Sequence, residues 1–129
     1  MSHKSKGCNA ERELIHLFWA TGKWGACRVA GSGSMQYPAP DIIAASKSRR
    51  LVLECKACRG DYQYLTKEEV NELKQFADLT SADPVIAVRF NNEEWHFFHP
   101  CVLKETEKNF VVTRDFANKI GKVFKELIL

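Results

Sequence analysis

The chain has 129 residues, 45% hydrophobic and 27% charged, which fits one domain over residues 1–129 with a core of its own. No apolar run approaches the roughly 18 residues that span a bilayer, and the basic opening MSHKSKG leads into no signal-type stretch; five scattered cysteines suit free thiols better than a disulfide framework. Membrane, secreted and disordered classes are thereby set aside, and a cytoplasmic protein with no membrane association is expected.

The net charge of +3 is small but unevenly placed, with ten Lys or Arg against four Asp or Glu in residues 1–60 and two against six in residues 61–84. That pattern is compatible with a face suited to polyanions and equally with an uneven solvated surface.

Residues 9–21 predict a helix, with Ala10, Leu14, Leu17 and Phe18 at helical spacing and Gly22 as the stop. Glu11 shares a stripe with Ile15 and Phe18 and falls at the edge of the buried face. A short strand over Ala26–Ala30 precedes the flexible run GSGS (31–34), and Pro38 and Pro40 punctuate the loop that follows. From Asp41 the pattern is a hairpin, DIIAA, SKSRR, LVLECKA. In its second strand Leu51, Leu53, Cys55 and Ala57 alternate with Val52, Glu54 and Lys56. A turn centred on Lys47 and Ser48 would set Asp41 opposite Glu54, with Cβ atoms about 5 Å apart, although a slip of one residue would flip the pairing.

Thr66-Lys67-Glu68-Glu69 is a capping box. It opens a helix to about Leu79 that turns Val70, Leu73, Phe76 and Ala77 inward. Pro84 begins the strand PVIAVRF, and Asn91-Asn92 turns it into EWHFFH. A last helix is expected over roughly 115–128, carrying Phe116, Ile120, Val123, Phe124 and Leu127. The order α-βββ-α-ββ-α describes a mixed sheet flanked by helices, an α/β or α+β domain.

The chemistry concentrates on Asp41, Glu54 and Lys56. Two carboxylates brought together on one sheet face repel unless a cation lies between them, and Mg²⁺, which takes oxygen ligands at about 2.0–2.1 Å, suits that role, with Mn²⁺ as a substitute. The Lys56 ammonium, on the same strand face as Glu54, can orient a water or neutralise charge on a phosphorane-like transition state. Glu11 adds a third carboxylate if the first helix packs beside the sheet. Together they describe metal-assisted phosphodiester hydrolysis. Taken singly, an E-x-K on a strand is ordinarily a solvated face and a Pro-Asp ordinary turn chemistry; the conjunction carries the reading.

Ser32, between glycines, is by default a loop residue. In the functional reading, the GSGS loop closes over a phosphate and the hydroxyl donates to the scissile group. It is not a nucleophile, because no His/Asp pair is placed to activate it. Cys55 and Cys58 form a C-x-x-C on a strand, without the two further ligands of a zinc site, and Cys55 is assigned to the core. Trp95, Phe97 and Phe98 are likewise assigned to packing, and the four histidines form no cluster.

The segments GCNAERELIHLF, RVAGSGS, PDIIA and LECKA, in this order, resemble the PD-(D/E)-x-K nuclease superfamily and, within it, the archaeal-type Holliday junction resolvases. The likeness runs along essentially the whole chain. Its specific parts are the G-x-x-A-E-R-E run and the A-G-S segment. The resemblance implies a restriction-endonuclease-like α/β fold and a homodimer that cuts four-way DNA junctions by paired, symmetric, Mg²⁺-dependent nicks. It matches Glu11, Asp41 and Glu54 to the metal-binding carboxylates, Lys56 to the catalytic lysine and Ser32 to the active-site serine. Arg12 and Arg28 match basic positions implicated in function or DNA contact. The spacer from Ser32 to Asp41 is long and proline-bearing for the family, and Ser34 offers a second hydroxyl.

Affinity for DNA would come from phosphate neutralisation by Lys4, Lys6, Arg12, Arg28, Lys47, Arg49, Arg50 and Arg59, with shape as the readout. A two-fold dimer suits a junction, with the apolar side chains of the second helix or the second hairpin as its interface. A general nuclease of the superfamily, a catalytically silent junction-binding protein and a zinc or redox regulator remain as alternatives.

Overall fold

The computed structural model describes residues 3–31 and 36–129, with side chains from Asn9 onward. Helix α1 (His3–Ala20) starts earlier than its apolar spacing requires and ends where expected. Thr21 accepts hydrogen bonds from the amides of Lys23 and Trp24, and Gly22 takes the left-handed conformation (φ +71°) that a Cβ would resist. Ala10, Leu14 and Phe18 are buried as the stripe predicts, whereas Leu17, at its margin, is 39% exposed.

Strands β1 (Gly25–Arg28), β2 (Ile42–Ala45) and β3 (Arg50–Cys58) form an antiparallel meander. β4 (Tyr62–Thr66) and helix α2 (Lys67–Thr80) then carry the chain across to β5 (Asp83–Phe90), which lies parallel to β3. β6 (Trp95–Phe98) returns antiparallel, giving a five-stranded mixed sheet in the order β1-β2-β3-β5-β6. Asn92 adopts φ +64° at the tip of that hairpin, as the Asn-Asn pair foretells. A central strand covered on both faces reads as an unbroken apolar run, and Val85 to Val88 are all buried.

The alternation in β3 sorts the core into two layers. Leu51 and Leu53 pack with Leu14 and Phe18 of α1, with Trp24 and with Phe97. Val52 packs on the other face with Val70, Leu73 and Ala77 of α2 and with Ile86 and Phe90. Burying a side chain such as Phe18 contributes about 1.5–3 kcal/mol. No helix here is long and apolar enough to cross a membrane.

The structure departs from the sequence reading in two places. Residues 62–66 and 99–113 hold elements that the apolar pattern alone did not reveal. A 3₁₀ turn (Pro100–Val102) leads to β7 (Lys104–Glu105) and β8 (Asn109–Thr113), which join β4 in a second, three-stranded sheet. In β4 only Leu65 is buried, while Tyr62 and Tyr64 face solvent, so its hydrophobic signal is weak.

The single final helix is two: α3 (Arg114–Ile120) and α4 (Phe124–Leu127). Between them the chain is extended, and Lys122 exchanges both main-chain hydrogen bonds with Phe97, extending the sheet beyond β6. Those two bonds replace helical ones at a position where Gly121 brings α3 close to the sheet. A Cβ on Gly121 would lie 2.6 Å from the Ala117 carbonyl oxygen and 2.9 Å from the His96 Cβ. Gly121→Ala should therefore destabilise the fold by about 1–3 kcal/mol, read as a lower urea midpoint with an unchanged m-value.

Candidate active site

The site begins with the β2–β3 register. Ile42 pairs with Leu53 and Ala45 with Arg50, which is the register of a turn centred on Lys47 and Ser48 and puts Asp41 across from Glu54. Asp41 is fixed on three sides. Its amide donates to the Leu53 carbonyl (2.9 Å), its carbonyl accepts from Val29 (2.8 Å), and its Oδ2 accepts from the Cys55 amide (2.8 Å). The carboxylate therefore points along the β3 backbone instead of into solvent.

Glu54 is hydrogen-bonded to Asp41, and burial, reinforced by the neighbouring Asp41 charge and that hydrogen bond, pushes its carboxyl up to about 9. Glu11 approaches from α1, on the opposite face of the sheet from Glu54. Its Oε2 accepts from Arg28 Nε at 3.0 Å, and its side chain is only 14% exposed. Burial raises the Glu11 carboxyl, the Arg28 hydrogen bond pulls it back, and the Asp41 charge adds to the rise, which prevails. Ligand atoms of Glu11, Asp41 and Cys55 lie within 4.8 Å of one another. Asp41, at the mouth of β2, is thus the member common to both faces, meeting Glu54 on one and Glu11 on the other.

Lys56 lies on the Glu54 face, and its Nζ donates to Glu69 Oε2 of α2 at 2.5 Å. Burial works against its charge, but Glu69, Glu54 and Asp41 outweigh that, and the ammonium is held above its ordinary range. Glu69 moves the other way: burial would raise it, but hydrogen bonds from Lys56 and from Thr66 bring it below the usual carboxylate range. The sequence identified Glu69 only as a capping residue. The capping box was the one available signal, because nothing in the sequence relates the first turn of α2 to β3.

The remaining predicted residues are distributed as follows. Ser32 and Ser34 lie outside the described residues, as do the side chains of Lys4 and Lys6 in α1. Arg12 and Arg59 are exposed, and Arg28 is engaged with Glu11. Lys47, Arg49 and Arg50 sit at the opposite end of the strands, about 13 Å along β3 from Glu54 at Arg50. Arg49 serves the chain itself, donating to the Leu127 and Leu129 carbonyls and stacking on Trp24.

Cys55 and Cys58 differ in their surroundings: Cys55 packs beside the α1 layer, while the Cys58 thiol donates to the Tyr62 carbonyl. Trp95, Phe97 and Phe98 are buried, so the second hairpin presents none of these aromatics to a partner, while on α2 Leu79 is exposed and Phe76 is half-buried. Arg114, which no motif marked, pairs with Asp61 and Glu93 and covers Phe90. It ties the β3–β4 turn to the β5–β6 hairpin.

The donor set fits a hard divalent ion. Asp41 is in hydrogen-bond contact with Glu54 on one face, and on the other its carboxylate lies within 4.8 Å of Glu11, so Asp41 with either glutamate offers the oxygen donors that such an ion prefers. The raised Glu54 has a measurable consequence for the metal-free protein. The folded state retains a proton that the unfolded chain has released between the ordinary carboxylate range and about 9, so this group's contribution to stability is lost as pH rises through that window. Glu54→Gln should flatten the fall in unfolding midpoint between pH 5 and pH 9 and raise the midpoint at pH 8, as read by thermal denaturation in chelator.

A model of the archaeal Holliday junction resolvase (Hjc) family matches residues 2–128. The chain is 36% identical to the crossover junction endodeoxyribonuclease Hjc of Archaeoglobus fulgidus over 130 residues, covering 95% of each. It is 33% identical to Hjc of Methanocaldococcus jannaschii, covering 95% of this chain and 92% of that one. With crossover junction endodeoxyribonuclease Hje of Saccharolobus islandicus the identity is 35%, over 94% of this chain and 88% of the relative. The structure of Archaeoglobus fulgidus Hjc, a Holliday junction resolvase, superposes with a TM-score of 0.87 at 33% identity, spanning 94% of this chain and 98% of that one. Agreement along the whole length, in sequence and in fold, places this chain in the archaeal Holliday junction resolvase family.

Proposed function

We propose that this protein is a single nuclease domain that resolves four-way DNA junctions by hydrolysing one phosphodiester in each of two symmetric strands. The observation that carries the reading is the Asp41–Glu54 acid pair with Lys56 on the same strand face as Glu54. Asp41 and Glu54, with Glu11, would hold Mg²⁺, which supplies Lewis-acid polarisation of the scissile phosphate and of the attacking water. The chain's own residues do the rest. Asp41, immobilised by the Cys55 amide, would present its carboxylate to the ion in one orientation, so that a phosphate is oriented as well as held. Lys56, kept protonated, faces the charge that accumulates on the non-bridging oxygens as water adds and the 3′-oxygen leaves. Ser32, on its glycine-flanked loop, donates its hydroxyl to the scissile group. Arg12, Arg28, Arg59, Lys4 and Lys6 neutralise backbone phosphates, with Arg28 also holding Glu11.

A homodimer relates two such sites across the two-fold axis of the junction, with the exposed side of α2 as its interface. The protein works in the cytoplasm, where the DNA is. With Mg²⁺, the wild-type protein should cut a synthetic four-way junction and leave linear duplex of the same sequence intact. Asp41→Asn should lose cutting by about 10²- to 10³-fold while binding the junction with nearly unchanged affinity in a gel-shift assay. Equal cutting of both substrates would make it a general nuclease of the fold. Tight junction binding with no cutting by the wild type would make it a silent binding protein.

A further inference from the structure

Glu69 carries two tasks on one carboxylate. Its Oε1 accepts from the Thr66 amide at 2.9 Å, completing the capping box that starts α2, and its Oε2 accepts from Lys56 Nζ at 2.5 Å. The reciprocal half of the cap, Thr66 Oγ1 accepting from the Glu69 amide at 3.0 Å, anchors the first turn of α2 without touching the carboxylate. The Thr66 amide holds Oε1, and that leaves Oε2 facing the ammonium. Both partners are half-buried, so this pair is shielded from the screening that makes surface ion pairs weak.

Lys56 has a second set of acceptors within electrostatic reach, Glu54 and Asp41. A lysine side chain is a flexible four-carbon stem ending in a compact charge. Released from Glu69, that ammonium is drawn to the densest negative charge nearby, which is the acid pair a divalent ion needs. A lysine lodged there would occupy the ion's place and leave the transition-state charge unmet.

We propose that Glu69 is a positioning residue that uses the α2 cap to hold the Lys56 ammonium off the Asp41–Glu54 pair, keeping the pair open for the metal ion and the lysine aimed at the phosphate. The inference rests on the proposed nuclease reading and assigns it a residue on a different element. The acidic contact on α2 thereby links helix formation to assembly of the site.

Two substitutions separate this role from mere stability. Glutamine serves in a capping box as well as glutamate does, so Glu69→Gln keeps the cap and removes the charge that holds Lys56. Thr66→Ala removes the other half of the cap, should lower the unfolding midpoint by a few degrees, and leaves Glu69 Oε1 on the Thr66 amide. At saturating junction, Glu69→Gln should cut about 10- to 100-fold more slowly than wild type, with metal-free junction affinity close to wild type and an unfolding midpoint lowered by no more than a few degrees. Its half-saturating Mg²⁺ concentration should rise several-fold. Ca²⁺ binding by calorimetry, which needs no turnover, should weaken in parallel. Thr66→Ala should cut at the wild-type rate and bind Ca²⁺ normally despite its lower stability. Glu69→Gln cutting at the wild-type rate with unaltered Mg²⁺ dependence would overturn the proposal, as would a rate loss that Thr66→Ala shares. A wild-type protein that binds Ca²⁺ but cuts no junction would instead defeat the nuclease reading, while the Ca²⁺ comparison of the two variants would still judge the role of Glu69.

Discussion

Two carboxyl groups in hydrogen-bond contact, partly withdrawn from water, cannot both be charged unless something positive joins them, and every feature of this molecule's business end follows from how Asp41 and Glu54 are forced into that position. The force is the hairpin. Cross-strand pairing from Ile42–Leu53 to Ala45–Arg50 leaves the next pair no alternative, and the Cys55 amide then anchors the Asp41 carboxylate. Hydrogen bonds of the sheet thus meet the electrostatic cost of assembling the pair, which is how folded proteins maintain locally unfavourable arrangements at sites of chemistry. Burial first, and then the Asp41 charge, raise the Glu54 carboxyl.

Each face of the sheet contributes a helix, and each helix brings one acid that the sheet meets with one cation. On the α1 face Glu11 is held by Arg28 of β1; on the α2 face Glu69 is held by Lys56 of β3. The two pairs differ in what the acid does next. Glu11 remains turned toward Asp41 and Cys55, inside the candidate ligand group. Glu69 is committed to the helix cap. One arginine therefore aims a ligand, and one glutamate aims a lysine. A sheet whose strand ends gather charges and whose faces are closed by helices makes this division natural, because only at the strand mouths do residues from both layers come within reach.

The hairpin, the α2 cap and the alternation of β3 were legible because each is local: turn position, a Thr-to-Glu spacing and a period of two. So was the placement of Asp41 across from Glu54. What escaped was whatever depended on the packing of distant segments. No periodicity in residues 62–66 distinguishes an exposed strand carrying Tyr62 and Tyr64 from a polar loop until β8 pairs with it. The apolar spacing of 116–127 is continuous, and only the competing hydrogen bonds of Phe97 with Lys122 divide it. The sequence left open which face Glu11 would reach; it lies opposite Glu54 because α1 packs on the Leu51–Leu53 layer, a choice that is fixed by the three-dimensional core. The basic turn at Lys47–Arg50 was counted toward DNA for its charge, yet Arg49 is spent on the chain terminus.

Charge placement on α2 constrains how a polyanion can reach the site. Glu68, Glu72 and Asp78 are exposed along that helix, with Lys74 the exposed cation among them, and a phosphate backbone laid along it would meet mostly like charge. The helix N-terminus is different, since the macrodipole there favours anions and Glu69 is neutralised by Lys56. Arg12 on α1, next to Glu11, and Arg59, just past the end of β3 that carries Glu54 and Lys56, are exposed. A duplex arm approaching over these residues would reach Lys56 first and would be repelled as it turned along α2. The acidic helix surface would then act as a boundary that directs the arm across the strand mouths. Leu79, at the far end of α2, is exposed as well.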